Sequence, residues 1–233
     1  MQYRIGLENG DENRTVAWVL GHPGCFAYGP DPDSAMQAIP DAIRAYLRWV
    51  ESRNGAPWND PDAVEVCLDD NWDVYFINEE YERVEEGYNI NAWFLDDWKP
   101  LTSDDVERGL KLLSWSRADL LATLQPLEPE VLAQTYPNER WSIGGIARHV
   151  ATAEWWYLNR LGLAFPREQV PQELEIVLPK VRERLIEVLP TLVGSKQVTG
   201  IDGEFWSPRK MLRRAVWHER DHTFHIQKLL NQV

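Results

Sequence analysis

The chain has 233 residues, 44% of them hydrophobic, and a net charge of −13; that length suits one large or two modest domains, and that apolar content excludes a disordered chain. No apolar run approaches the roughly 18 to 20 residues of a membrane span, and the opening MQYRIGLENGDENR lacks the basic and apolar regions of a signal peptide, so a cytoplasmic location is expected. Residues 1–100 hold 20 Asp and Glu against 7 Lys and Arg, while the rest holds 17 of each; an acidic first part repels phosphate backbones, so no direct DNA binding is expected, and it attracts a basic protein partner.

Tyr3–Glu8 and Thr15–Leu20 are short β-rich runs separated by the turn-forming NGDEN, the pattern of a hairpin. A third short run, Cys25–Tyr28, follows His22-Pro23-Gly24, where His22 is expected to have a structural or surface role. From Asp33, the expected N-cap, Ala35, Ala38, Ile39, Ala42, Ile43, Tyr46, Leu47 and Val50 recur at helical spacing, and Pro40 is expected to bend or interrupt that helix. Ala63–Leu68 and Asp73–Ile77 predict further strands. The acidic stretch EEYERVEEG and an aromatic linker, NAWFLDDWKP, close a first part over residues 1–98. Cys25 and Cys67 have neither CxxC nor Cys/His spacing and read as reduced, packed thiols.

The stretch HPGCFAYGPDPDSAMQAIPDAIRAYL resembles the HicB-like domain, in which a Pro-Gly-Cys turn leads through a short strand and Gly into a helix rich in Ala and Ile. The resemblance implies a small β-β-β-α-β unit. HicB-like proteins usually act as antitoxins that cover a basic RNase toxin, often with a separate DNA-binding segment. No such segment is recognisable here and a different domain follows, so an interaction or scaffolding role is equally open.

In residues 101–233, Leu101-Thr102-Ser103 offers a capped helix start, after which Val106, Leu110, Leu113, Leu120, Leu121 and Leu124 keep helical period to Pro126. Trp141-Ser142 opens a second helix, in which Ile146, His149, Ala153 and Trp156 fall at the spacings of a bundle seam. A third lies between Gln172 and Val193, with Ile176, Val181, Leu185, Val188 and Leu192 available to pack and Pro179 marking a kink or the first turn. The fourth opens with Ser207 as N-cap and Pro208 at the first helical position, and runs through Met211, Ala215, His218, His222, Ile226 and Leu229. Four such helices make a bundle, so the expected class is α+β with two domains.

A lone His on an apolar stripe is usually a hydrogen-bonded core residue, but several converging imidazoles are most simply satisfied by one shared ion. His218 and His222, at i and i+4, lie on one helical face, and a third ligand must come from a facing helix, where His149 is placed to supply it. Three protein ligands leave a position open for water or substrate, the arrangement of catalytic sites. Trp156, on the His149 stripe, is a candidate wall of the pocket; Glu154, Trp155 and Tyr157 read mostly as packing. Glu219 and Asp221 flank the ligands and are expected to form surface ion pairs with Arg213, Arg214 and Arg220.

ERWSIGGIARHVATAEWWYLNRL and WHERDHTFHIQKLL resemble the second and fourth helices of the DinB-like superfamily, whose bundle the span 101–233 fits in order. The resemblance implies His149, His218 and His222 as ligands of a divalent transition metal such as zinc, nickel or iron, and a bundle that is often dimeric. Where many members carry Gln after the last ligand, this chain has His225, a candidate for orienting a ligand or binding substrate. Several DinB-like proteins are similar to thiol-dependent transferases, so the expected function is metal-dependent S-transfer with a low-molecular-weight thiol, or hydrolysis. The alternative is a non-catalytic binding module or antitoxin-like adaptor with a structural metal.

Overall fold

The computed structural model describes residues 2–231. It begins with an antiparallel hairpin in which β1 (Gln2–Asp11) pairs with β2 (Arg14–Val19), Ile5 opposite Val19 and Leu7 opposite Ala17. Glu12 and Asn13 both turn at positive φ, 52° and 60°, the pair of left-handed residues that matches the twist of a tight hairpin. β3 (Phe26–Gly29) adds to β2, and after α1 (Pro32–Asn54) the chain returns as β4 (Glu65–Asp73), parallel to β1, in a sheet of order β3-β2-β1-β4. A parallel neighbour requires a crossover, which α1 provides. Ile39, Ile43, Leu47 and Val50 line its buried stripe.

Two details of α1 differ from expectation. Its N-cap is Asp31 rather than Asp33: the Asp31 carboxylate accepts from Ser34 N at 2.7 Å, and Pro32 occupies the first turn, where a missing N–H costs nothing. Pro40 leaves the helix continuous from Pro32 to Asn54. The lost backbone bond is offset by fully buried Ile39 and Ile43 on either side of it, each worth about 1.5–3 kcal/mol of burial.

The acidic stretch and the aromatic segment are also structured. β5 (Tyr75–Ile77), β6 (Arg83–Val84) and β7 (Tyr88–Ile90) form a second small sheet of order β6-β5-β7. The segment read as a linker is packed: Ala92, Trp93 and Phe94 are buried, and a 3-10 turn over Leu95–Trp98 buries Asp96 and Asp97. Gly6 makes room for Phe94, since a Cβ there would lie 2.8 Å from the ring. Burial raises the Asp96 carboxyl, but Arg4 Nη2 at 2.5 Å and Lys99 Nζ at 2.9 Å hold it below the ordinary carboxylate range. Cys25 and Cys67 are free thiols.

The remainder contains α2 (Ser103–Leu124), α3 (Pro129–Ala133), α4 (Ile143–Arg160), α5 (Leu174–Val188), the hairpin β8 (Thr199–Ile201) and β9 (Glu204–Trp206), and α6 (Pro208–Leu230). Thr102 and Ser142 cap α2 and α4 through Asp105 N and Gly145 N, and Ser207 Oγ receives Lys210 N at the start of α6. Pro179 lies inside α5, and the buried face there is Val177, Leu178, Val181 and Leu185, leaving Ile176 exposed. The chain divides into two compact units, one running to Lys99 and including Val198–Lys210, the other Pro100–Gln197 with the chain from Met211. The β8–β9 hairpin thus belongs with the sheets: its buried Glu204 accepts from Asn91 N at 2.8 Å and from Trp206 Nε1 at 2.8 Å. The second unit is a bundle built on α2, α4, α5 and α6, so the architecture is α+β. No helix among the described residues is long and apolar enough to cross a membrane.

Candidate metal centre

His149 sits in the second turn of α4, behind the Ser142 cap, and His218 and His222 lie one turn apart in α6. An α-helix brings residues i and i+4 onto one face, and here the His218 and His222 Nε2 atoms are 3.1 Å apart. From the facing helix, His149 Nε2 reaches His218 Nε2 at 3.1 Å, and the three donor atoms all lie within 4.8 Å of one another. A tetrahedral ion with nitrogen ligands at 2.0–2.1 Å separates them by about 3.3 Å, close to the two edges of 3.1 Å.

The donor set fits a borderline transition ion. Burial and then the nearby Arg140 guanidinium push the His149 imidazole below its usual pKa, and burial with neighbouring His222, His149 and Arg214 pushes His218 well below. Neutral imidazoles present a lone pair rather than a proton, as a metal ligand must. Calcium and magnesium prefer oxygen ligands, whereas imidazole suits zinc, nickel and iron. Three Nε2 atoms that face one another cannot all be satisfied by a shared proton; a cation satisfies all three.

Aromatic rings hold the imidazoles in place. Trp141 stacks on His149 with centroids 4.5 Å apart and planes 27° from parallel, and the Arg140 guanidinium lies 4.7 Å from the Trp141 ring. Tyr157 meets His218 edge-on at 6.0 Å, and Trp217 lies 5.7 Å from it. In the sequence Trp141 stands out only as a helix start and Tyr157 only as packing; a large aromatic one residue before an N-cap, eight before a candidate ligand, was the available signal. Trp156, the expected wall, packs edge-on against Tyr157 at 5.6 Å with the Arg160 guanidinium 4.0 Å from its ring. His225 is tied by Nε2 to Glu139 Oε1 at 3.0 Å, and its ring centre lies 6.0 Å from that of His222.

Glu219 is not at the surface. It is fully buried and accepts from Ser116 Oγ at 2.5 Å, Arg117 Nε at 2.6 Å and Arg182 Nη2 at 2.7 Å. Burial raises its carboxyl, but Arg182 and Arg117 outweigh burial and hold it below the ordinary range. Arg213, Arg214 and Arg220, its expected surface partners, are themselves buried. Binary patterning treats a charge as solvent-facing; two arginines from other helices make this one part of the core.

Residues 112–226 match the DinB superfamily. A protein of Oceanobacillus iheyensis, named provisionally as a metal-dependent hydrolase, is 26% identical over 154 aligned positions, 56% of this chain and 88% of the relative. Among solved structures the chain is similar to YfiT from Bacillus subtilis, described provisionally as a metal-dependent hydrolase with an unusual four-helix bundle topology, at 16% identity and a TM-score of 0.46 over 59% of this chain and 94% of that one. The C-terminal region, over residues 112–226, is a DinB-like superfamily domain.

Proposed function

We propose that the helical unit is a metal-dependent hydrolase whose divalent ion is held by His149, His218 and His222. The observation that carries this reading is the convergence of three Nε2 atoms from two helices, with 3.1 Å between neighbours; the relative named for metal-dependent hydrolysis points the same way. A transition ion with three protein ligands supplies a Lewis acid at an open position, polarising a carbonyl or acidifying a water or thiol. The chain's own residues do the rest. Trp141 and Tyr157 fix the ring planes of His149 and His218. His225, held through Nε2 against Glu139 Oε1 at 3.0 Å with its ring centre 6.0 Å from that of His222, is the side chain beside the ligands that would orient one of them or meet the substrate. The same open position would serve S-transfer from glutathione, bacillithiol or mycothiol, with a bound low-molecular-weight thiol replacing water.

Elemental analysis and turnover test the reading. The purified protein should carry about one transition ion per chain, and the variant with all three histidines changed to Ala should fold without it. The wild type should hydrolyse activated esters or amides in a metal-dependent way; S-transfer to electrophiles in thiol panels in place of hydrolysis would select the transferase form. Equal rates for wild type and triple variant in both panels remove the catalytic reading.

A second reading concerns the first unit, as an HicB-like module for a basic protein. Leu95, Trp98 and Phe205 are 72%, 50% and 49% exposed, with the Trp98 and Phe205 rings 6.0 Å apart and Trp93 behind both. An exposed aromatic patch on an acidic unit suits a basic partner. Cross-linking the full chain in its own cell extract tests this: a basic protein lost with Trp98→Ala supports it, and none removes it.

A further inference from the structure

Each long helix of the second unit places one ionised side chain in a single buried cluster: Arg117 from α2, Glu154 from α4, Arg182 from α5 and Glu219 from α6. The two positive and two negative charges balance. Arg182 forks onto Glu154 through Nε to Oε1 at 2.9 Å and Nη2 to Oε2 at 2.6 Å, and Nη2 also donates to Glu219 Oε2 at 2.7 Å. Arg117 joins through Nε to Glu219 Oε1 at 2.6 Å and Nη2 to Glu154 Oε2 at 3.5 Å. The remaining guanidinium donors are used on helix carbonyls, Arg182 on Leu113 and Arg117 on Leu178.

Stability is a poor account of such a cluster. Taking four charges out of water costs about what their attraction returns, and apolar residues of similar volume often hold a core as well or better. What the cluster does supply is orientation. Only α4 and α6 carry the three histidines, and Arg182, on a helix that carries none, holds one carboxylate from each. Glu219 directly follows His218, and Glu154 lies five residues beyond His149. A side-chain tip about 5–6 Å from a helix axis moves about 1 Å for every 10° of helix rotation, while metal–ligand distances hold to about 0.2 Å. We propose that Arg182 is a positioning residue of the three-histidine centre: by clamping Glu154 to Glu219 it sets the rotation and spacing of α4 and α6, and so the point where His149 meets His218 and His222. The inference rests on the metal-site reading above.

Cobalt(II) titration of the metal-free full chain tests it, reading affinity and the visible d–d spectrum together, with far-UV circular dichroism and thermal melting as controls of fold. Two variants are compared with wild type. R182K keeps the charge but cannot fork; the quadruple variant R117M/E154L/R182M/E219L keeps a packed core without charge. Both are expected to bind cobalt about 10 to 100-fold more weakly, as loss of outer-shell support typically does, with a shifted d–d envelope, while the quadruple variant melts near wild type or above. A folded R182K or quadruple variant with wild-type affinity and spectrum overturns the positioning role. Where the quadruple variant does not fold, R182K decides. A wild type that takes up no cobalt fails differently: it removes the metal-site reading itself, and the inference with it.

Discussion

Zinc added to metal-stripped protein should stabilise it through the three histidines, and the size of the effect follows from binding linkage. Free zinc at 100 times its dissociation constant contributes about 2.7 kcal/mol. For a chain of this size each kcal/mol moves the midpoint by about 2–4 °C, so the affected transition should rise by about 5–11 °C. His222 is half-buried, and its Nε2 lies 3.1 Å from that of His218. His222→Ala therefore removes one of three donors while opening little core, and its metal-free melting should stay within about 1 kcal/mol of wild type. If the lost ligand weakens zinc about a thousandfold, the same zinc adds under about 0.1 kcal/mol and the shift disappears. Differential scanning calorimetry, with chelator and zinc arms for each protein, reads this directly. An equal zinc shift in both proteins, or none in wild type, refutes the shared ion.

The metal-free protein should lose stability on mild acidification. His149 and His218 have lowered folded values, so below about pH 6.5 the unfolded chain binds more protons; the stability present above that pH falls as pH drops through the folded values. Urea midpoints at pH 7.5 and 5.5 separate this from Asp96 and Glu219, whose lowered carboxyls matter only below about pH 4; equal midpoints count against neutral buried imidazoles. Gly29→Ala should destabilise the first unit by about 1–3 kcal/mol or more, because its Cβ would fall 2.3 Å from the backbone N of Ala35; chemical denaturation that leaves the midpoint unmoved contradicts that clash. Asp31→Ala removes the carboxylate that receives Ser34 N at 2.7 Å and should lower the denaturation midpoint of the first unit without altering the zinc shift, and a changed shift would tie α1 to the metal centre.

What could be read without coordinates was set by the length over which a pattern repeats. The four bundle helices α2, α4, α5 and α6 run 15 to 23 residues, long enough for a 3.6-residue period and a cap to agree, and imidazoles interrupting an apolar stripe at 149, 218 and 222 stand out against it. β6, of two residues, and β7, of three, are too short for alternation to show, so an acidic stretch and an aromatic segment passed for connections. Trp141 escaped as a site residue because it precedes the helix: its side chain reaches His149 from the N-cap side, a placement that no stripe along α4 reports. Ile176 failed as a core residue for a related reason. Val177 and Leu178 beside it are equally apolar, and an apolar run leaves the rotational register to tertiary packing.

The buried charges failed for a deeper reason, and α6 shows it most clearly. Every residue from Met211 to Arg220 is buried or nearly so, and five of these ten are Arg213, Arg214, His218, Glu219 and Arg220. A helix buried all round is ordinarily apolar all round, so a helix this polar was read as having a solvent face. Each such group is tolerable only where partners from other helices meet it, and those partners lie up to 103 residues away in sequence, as Ser116 does from Glu219. No local pattern encodes that distance. Since ion clusters of this kind add little to stability over an apolar core, the place of Glu219 directly after His218 fits a part in geometry better than one in strength. Departures from local rules collect where function needs them, and in this chain they collect on the helix that also supplies two of the three imidazoles.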